Sequence, residues 1–262
     1  MTPGASPALA SLPRMLAAQT RSELRVRWRI PAFSVTSLAL PALFFTFFGL
    51  PFARTTDGDG VNVGAYMLAS LGAYGVGSVM VFGFGIGVAN ERAQRLDVLA
   101  RATPLPPALA LAAKVLVALL FALVSLLLLI GYGIVAGGIR QPLAVWIAVV
   151  ARLLAGSLPF IALGFWIGYA VGPHAAPAVA NLVYLPLAFA SGLFLPIGQL
   201  PGFVQRLAPY LPTYHLGQLA WSAVGARAEP VLVSLAWLAG YTAVFLALAV
   251  RAYARDQHRK FG

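Results

Sequence analysis

The chain contains no cysteine among its 262 residues, and charged residues make up only 10% of it. The absence of cysteine excludes disulfides, thiolate metal sites and cysteine nucleophiles. A water-soluble domain carries about a quarter of its residues as charged side chains. With 60% hydrophobic residues and a mean hydropathy of +0.86, this composition indicates an integral membrane protein.

Catalytic motifs are missing as well. The sequence has no phosphate-binding Gly-x-x-x-x-Gly-Lys-Ser/Thr, no Gly-x-Ser-x-Gly and no His-Glu-x-x-His. The three histidines, His174, His215 and His258, fall in separate loops, so no metal site is predicted. No Asp or Glu lies within a predicted span, whereas proton-coupled transporters place such groups inside the bundle. A transport function would therefore need energy from outside this chain, and we expect the chain to bind no cofactor.

Apolar runs near or above the ~20 residues that cross a bilayer predict an all-α integral membrane protein with six transmembrane helices. The predicted spans cover residues 30–53, 63–89, 108–135, 143–171, 175–195 and 230–250, within a single transmembrane domain, 1–262. Residues 12–29 predict a basic amphipathic helix in the membrane interface, with Glu23 interrupting its apolar face. A disordered basic tail is the alternative there. Residues 196–229 contain four prolines and predict outer re-entrant or interfacial helices.

The distribution of basic residues predicts the orientation. Thirteen Lys or Arg residues fall in the N-terminal segment, the second loop with Lys114, and the C-terminal tail, against four in the alternate loops. The positive-inside rule therefore predicts that both termini are cytoplasmic.

A charged segment, Glu91 to Pro107, lies between the second and third predicted spans. In Glu91/Arg95 and Asp97/Arg101 the acid precedes the base by four residues, the favourable order on a helix. The segment predicts a short surface helix, residues 90–107 with its loop, which Thr103-Pro104 ends. Val98 lies within the polar face, which indicates cover by another protein. A solvated, salt-bridged loop helix is the alternative.

Arg152 lies about nine residues inside the fourth predicted span, a costly position that raises a functional hypothesis. A carbonyl, a lipid phosphate or an anionic transported molecule could accept its charge. Snorkelling toward the outer headgroups is the alternative.

The order of these features resembles the membrane subunits of type-2 ABC exporters. The most specific portions are Glu91-Arg92, Leu96, Leu99 and Thr103-Pro104, the run from Ser191 to Pro196, and Leu211-Pro212-Thr213-Tyr214-His215. The resemblance covers nearly the whole chain.

The resemblance implies a permease in the bacterial inner (cell) membrane that pairs with a separate ATP-binding subunit, which would hold ATP and Mg. A second copy of the chain, or a related permease, would complete the pathway, and lipids would surround it. The substrate would be a drug, an antibiotic or another hydrophobic or lipid-like compound. The resemblance also implies that the inner helix docks on the ATPase, a coupling role carried onto Glu91, Arg92, Arg95, Asp97, Val98 and Arg101.

Substrate contacts are predicted at aromatic and polar residues of the first, second and fifth spans, namely Phe44, Phe45, Phe48, Tyr74, Asn181 and Tyr184. Packing within the protein is the alternative for each. The small-residue face of the second span, with the fifth span, is expected to line the dimer interface and the pathway. A different class of function stays open, a membrane-embedded enzyme or assembly factor that acts on lipids at the outer face through His215 and Glu229.

Overall fold

A computed structural model of the chain describes residues 11–29, 31–96 and 106–261. Most of these residues are helical, and their only β pairing is an isolated bridge between Thr56 and Asn62. The helices are α1 Leu12–Trp28, α2 Pro31–Phe48, α3 Val63–Ala93, α4 Pro107–Gly137, α5 Leu143–Ala155, α6 Leu158–Ala170, α7 Ala176–Ala190, α8 Gly202–Leu207, α9 Pro212–Trp221 and α10 Val231–Phe261.

Among the described residues, four helical segments are long and apolar enough to cross a membrane. They are Val63–Ala93, Pro107–Gly137, Leu143–Ala170 and Val231–Gln257. The third combines α5 and α6, which are separated by a short break at Gly156 and Ser157. The predicted first and fifth spans correspond to α2 and α7, whose apolar helices Ser37–Phe48 and Ala176–Ala190 are shorter than a full crossing. Six spans therefore stay a prediction.

The core of the bundle is organised around α3, which packs against α2, α4, α6, α7 and α9 and is buried along most of its length. Small residues allow these helices to approach closely. A Cβ atom at Gly164 of α6 would lie 2.9 Å from the Met80 carbonyl oxygen, and one at Gly168 would lie 2.9 Å from that of Gly85. The prediction that the small-residue face of α3 lines a dimer interface is wrong in this respect, because helices of the same chain cover it.

In the segment between α7 and α10, α8 is mostly exposed, whereas α9 folds back into the bundle. The short helices α8 and α9 alternate with 3-10 turns at Ile197–Gln199 and Ala208–Tyr210. Every residue of α9 except the half-buried Tyr214 is buried, and Trp221 at its end donates an indole N–H to Ser70 Oγ of α3 at 2.7 Å. This burial gives the re-entrant segment a fixed position against α3, α5 and α10.

Two long helices extend past the boundaries predicted for them. The helix α3 continues to Ala93, and α10 continues to Phe261, so the predicted basic tail is helical in this region. The two ends meet where α4 begins and α6 finishes. We refer to this region, which contains Glu91, Arg92, Lys114 and Asp256, as the basic end of the bundle.

Candidate functional site

At the basic end, an acidic and basic cluster joins three helices. Lys114 of α4 donates to Glu23 of α1 at 3.1 Å and also forms an ion pair with Glu91 of α3. Lys114 and Glu23 are largely buried, so solvent screens their attraction less than at an open surface. Sequence reasoning noted Glu23 only as an acid on the apolar face of α1; that misplaced acid was the signal of a buried partner.

Arg27 lies beside this cluster and connects α1 to α3. Arg27 is buried, with 9% of its surface exposed, and its guanidinium lies over the Phe84 ring at 5.7 Å from the ring centre. Burial lowers the pKa of the Arg27 guanidinium, while the carboxylates of Glu23 and Glu91 oppose that shift. An arginine stays charged at any physiological pH, so two acids face two bases here.

Arg92 follows Glu91 in α3 and joins this helix to α6 and α10. Its Nη1 donates to the carbonyl oxygens of Gly168 at 2.6 Å and Val171 at 3.2 Å, at the end of α6. Its Nη2 forms an ion pair with Asp256 of α10, and its guanidinium lies 5.6 Å from the centre of the Tyr169 ring. Arg92 therefore satisfies carbonyl groups left open at the end of α6 and fixes α10 against them.

The predicted helix that begins at Glu91 has a different form in the structure. Glu91 and Arg92 belong to the last turn of α3, and the helix ends at Ala93. Arg95 has a positive φ of 54°, a left-handed conformation that interrupts the helix. Because of this break, Glu91 and Arg95 do not occupy consecutive turns of one helix, and the prediction of that i to i+4 pair is wrong. Glu91 pairs with Lys114 instead.

Among the described residues of this end, the turn after α3 is open to a partner. Ala93, Gln94, Arg95 and Leu96 are all exposed, and Leu96 exposes 42% of its surface. Three residues with a predicted coupling role, Asp97, Val98 and Arg101, lie outside the described residues. The basic end thus combines an exposed turn, Ala93–Leu96, with two residues that precede it, Glu91 and Arg92. These two residues connect the turn to α4, α6 and α10 and, through Lys114, to α1.

Four of the residues with a predicted role in substrate contact lie in one aromatic cluster. The Phe44 ring lies 5.5 Å from that of Tyr74, the Tyr74 ring lies 5.6 Å from that of Tyr184, and Phe48 joins through Phe194 at 6.1 Å. Phe194 touches both Phe44 and Tyr74 at about 5 Å, and sequence reasoning did not select it. We call Phe44, Phe48, Tyr74, Tyr184 and Phe194 the aromatic cluster.

The inner part of the aromatic cluster is closed within the single chain, and Phe44 and Phe48 at its edge are half-buried. Tyr184 and Phe194 have no exposed surface, and Tyr74 exposes 4%. Tyr184 donates its hydroxyl to the Tyr74 carbonyl oxygen at 2.7 Å, which satisfies the one polar group that the ring brings into the core. In this conformation the cluster packs helices together, and it offers no open channel.

The other two residues with a predicted substrate role lie elsewhere. Phe45 is fully buried on the opposite side of α2 and packs against Tyr132 of α4 at 6.1 Å. Asn181 is exposed on α7, and its side chain donates to the Pro177 carbonyl oxygen of its own helix at 3.1 Å. The structure thus does not bring these two residues to the aromatic cluster.

Arg152 has a partner from its own chain. Its guanidinium donates to Ser222 Oγ at 2.8 Å, and Ser222 follows α9 in the re-entrant segment. Sequence reasoning considered a carbonyl, a lipid phosphate or an anionic transported molecule as the partner of Arg152, but not a hydroxyl group 70 residues away. The contact accounts for part of the hydrogen-bonding capacity of Arg152 and joins α5 to the re-entrant segment.

His215 and Glu229, the residues of the alternative outer-face function, lie next to each other at the opposite end of the bundle. His215 Nε2 donates to the Pro209 carbonyl oxygen at 2.9 Å, and Nδ1 lies 3.6 Å from Glu229 Oε2. The ring stacks on Trp237 at 5.1 Å and is almost fully buried. Within 11–29, 31–96 and 106–261, no three His, Cys, Asp or Glu side chains gather as a metal site would require. His215 connects α9 with α10 through Trp237, and it lies beside Glu229 in the loop that precedes α10.

Comparison with known proteins adds an independent observation. Residues 54–251 match the family described as "ABC-2 family transporter protein". A Bacillus subtilis (strain 168) protein named "Putative transport permease YvfS" is 28% identical to this chain over 235 residues, which cover 90% of this chain and 95% of that protein.

Proposed function

This chain belongs to the ABC-2 family of transporter proteins, and from that premise we propose that it is the permease subunit of an ATP-driven exporter. Membership of this family, together with its long apolar helices, makes it a multi-pass membrane protein and a transport subunit. In the proposal, a separate ATP-binding subunit supplies the energy and holds ATP and Mg. A second copy of the chain or a related permease completes the pathway in a bacterial cell membrane.

The observation that carries this proposal is the construction of the basic end. The turn Ala93–Leu96 is exposed, while the two residues just before it, Glu91 and Arg92, are engaged by side chains and carbonyl groups of other helices. A surface that receives force needs an accessible contact and a rigid connection to the moving parts. The exposed turn and the two fixed residues provide both.

The connections indicate how force would spread. A displacement of the turn by the ATP-binding subunit acts on the end of α3. Through Arg92 it reaches the end of α6 and Asp256 of α10, and through Glu91 it reaches Lys114 of α4. Because packed helices move as rigid elements, the helix ends would shift together. In this proposal Arg95 contacts the partner, whereas Glu91 and Arg92 transmit the movement.

The aromatic cluster supports a hydrophobic or amphipathic substrate, such as a drug, an antibiotic or a lipid-like compound. Rings and aliphatic side chains bind apolar surface without requiring charge compensation. The inner part of the cluster is closed in the single chain, so the proposed pathway opens by movement of α2 and α7 or at their boundary with a second copy. Both helices have exposed apolar faces, with Phe47 exposing 67% of its surface and Leu182 75%.

The test compares two charge reversals. The tagged chain is purified from its native membrane, the copurifying ATPase is identified by mass spectrometry, and ATP hydrolysis is measured in liposomes. We expect Arg95→Glu to reduce both the recovered ATPase and the hydrolysis that depends on the permease, since it reverses a charge on the exposed turn. Arg206→Glu, an exposed arginine on α8 at the opposite end, is the matched control and should change neither. Undiminished recovery and hydrolysis in Arg95→Glu would remove the proposed coupling role of this turn.

A further inference from the structure

An apolar groove with a basic rim lies between α1 and α4. Its volume is about 400 Å³, within the range of roughly 300–1,000 Å³ found for small-molecule sites. Hydrophobic side chains of both helices form its floor and walls, and two arginines of α1 form its rim. The lining residues are Leu24, Arg25, Trp28, Arg29, Leu120, Phe121 and Val124.

The arginines of this groove differ from the other charged groups around them. Glu23 is directed to Lys114, and Arg27 is buried over Phe84. Arg25 and Arg29 are exposed, and within the part of the chain that the structure describes neither has a carboxylate within 4.0 Å. The rim of the groove therefore carries two positive charges that the described residues leave uncompensated.

The groove lies at the depth of a membrane boundary. Counting about 20 residues along α3 from Val63, and along α4 back from Gly137, places the boundary near Gly83 and Val117. Phe84, which Arg27 covers, is next to the first of these positions. Trp28 packs against Phe121 at 6.2 Å, just inside the second, and exposes 64% of its surface. Tryptophan is enriched at this level of a membrane.

Depth and charge together restrict what can occupy the groove. Beyond the boundary the groove is lined by the exposed Leu120 and the half-buried Val124, which lie at hydrocarbon depth, where a bound molecule must be apolar. The rim lies at headgroup level, where two guanidinium groups favour a phosphate, to which arginine donates paired hydrogen bonds. A molecule with a phosphate at one end and hydrocarbon at the other satisfies both conditions.

We propose that the α1–α4 groove is a binding site for one anionic diacyl phospholipid of the leaflet at the basic end. Its phosphate pairs with Arg25 and Arg29, and an acyl chain lies on Trp28, Leu120 and Val124. The lipid fixes α1 against α4 beside the Glu23–Lys114–Glu91 cluster. This site is independent of the transported substrate and of the ATP-binding subunit. An experiment can therefore contradict the lipid site without contradicting the proposed function, or contradict the proposed function without contradicting the lipid site.

Native mass spectrometry of the full chain released from nanodiscs tests the proposal. The nanodiscs contain phosphatidylglycerol or phosphatidylcholine with the same acyl chains. We expect one phosphatidylglycerol to stay bound under activation that strips phosphatidylcholine. Arg25→Gln/Arg29→Gln should reduce the retained fraction by about tenfold or more, because it removes both charge-assisted contacts. Arg14→Gln/Arg21→Gln removes the same charge from exposed positions of the same helix and should retain the lipid.

A second measurement leaves both arginines of the groove unchanged and detects the lipid through tryptophan fluorescence. Phosphatidylglycerol brominated on its acyl chains should quench tryptophan fluorescence more than brominated phosphatidylcholine at the same mole fraction. Trp28→Phe should remove that difference, and excess inorganic phosphate should not abolish it. Equal retention of the two lipids by the wild type, equal losses in the two arginine variants, or quenching without lipid preference would each overturn the site.

Discussion

At the residue scale, ion pairs between distant residues of the chain fix the basic end of the bundle. The pattern around Glu91 and Arg92 identified a functionally suggestive segment, but local spacing predicted partners within it. The actual partners are Lys114, 23 residues away, and Asp256, 164 residues away. Such distant pairs follow from helix packing, which one sequence does not show. Arg152 and Ser222 illustrate the same limit.

The Arg92–Asp256 ion pair is expected to stabilise the fold. Asp256→Asn removes the charge that faces Arg92, although Arg92 keeps its two carbonyl contacts with the end of α6. We expect the free energy of unfolding to fall by about 1–3 kcal/mol, because hydrogen bonds to charged groups contribute on that order. The melting temperature of the detergent-purified chain measures the effect.

Asp59→Asn is the matched control for this substitution. Asp59 pairs with Arg227 at 2.8 Å, but these side chains are 46% and 87% exposed, so solvent screens the pair. Its melting temperature should stay close to that of the wild type. A similar fall in both variants, or none in Asp256→Asn, would argue against a structural role for the Arg92 contact.

His215 predicts a dependence of stability on pH. Burial lowers the pKa of the His215 imidazole from its ordinary value of 6.5, while Glu229 and the Pro209 carbonyl oppose that shift. The folded chain therefore binds the proton less readily than the unfolded chain. The stability that the neutral His215 side chain contributes is present above pH 6.5, the ordinary pKa. It is lost as the pH falls from there toward the lower pKa of the folded chain.

The measurement compares melting temperatures at pH 7.5 and pH 5.5 (roughly one unit either side of the ordinary histidine pKa). We expect the wild type to lose more stability on acidification than His215→Gln, which cannot take up the proton. Equal changes in the two proteins would mean that protonation of His215 does not destabilise the fold in this pH range.

At the element scale, composition and apolar runs predicted most helix positions but not where each helix ends. The charged residues Glu91 and Arg92 indicated a new surface element, yet α3 continues through them because other helices cover and neutralise their side chains. The basic residues after Val250 similarly indicated a tail, whereas α10 continues to Phe261. Small residues along α3 were correctly expected to allow close packing. Their partners proved to be helices of the same chain.

The close packing of α3 against α7 gives a sharp test within one helix. A Cβ atom at Gly77 would lie 2.2 Å from Tyr184 Oη, and Tyr184 is fully buried and hydrogen-bonded to Tyr74. Gly77→Ala should therefore destabilise the chain by about 1–3 kcal/mol through overpacking. Gly87→Ala, on the same helix, has no neighbour within 4 Å of the added Cβ atom. Because alanine favours helix by up to about 1 kcal/mol over glycine, its melting temperature should be unchanged or higher. The reverse order of the two melting temperatures would contradict this packing.

At the scale of the whole molecule, the proposed mechanism depends on which side of the membrane the basic end faces. The exposed turn after α3 can receive force from an ATP-binding subunit only if the basic end is cytoplasmic. The distribution of Lys and Arg predicts that orientation, and it also predicts that the loop at Arg140, between α4 and α5, is external. These two positions therefore report the orientation of the bundle.

The absence of cysteine allows a direct measurement, since a single introduced thiol is labelled without background from the rest of the chain. Arg140→Cys and Gln94→Cys both replace exposed residues, at opposite ends of the bundle. We expect a membrane-impermeant maleimide to label Arg140→Cys in intact cells and to label Gln94→Cys only after the membrane is opened. Labelling of Gln94→Cys in intact cells would place the turn outside the cell, where no ATP-binding subunit could reach it. The phospholipid groove would be unaffected by that result, because its argument requires only that the basic end lie at one of the two membrane boundaries.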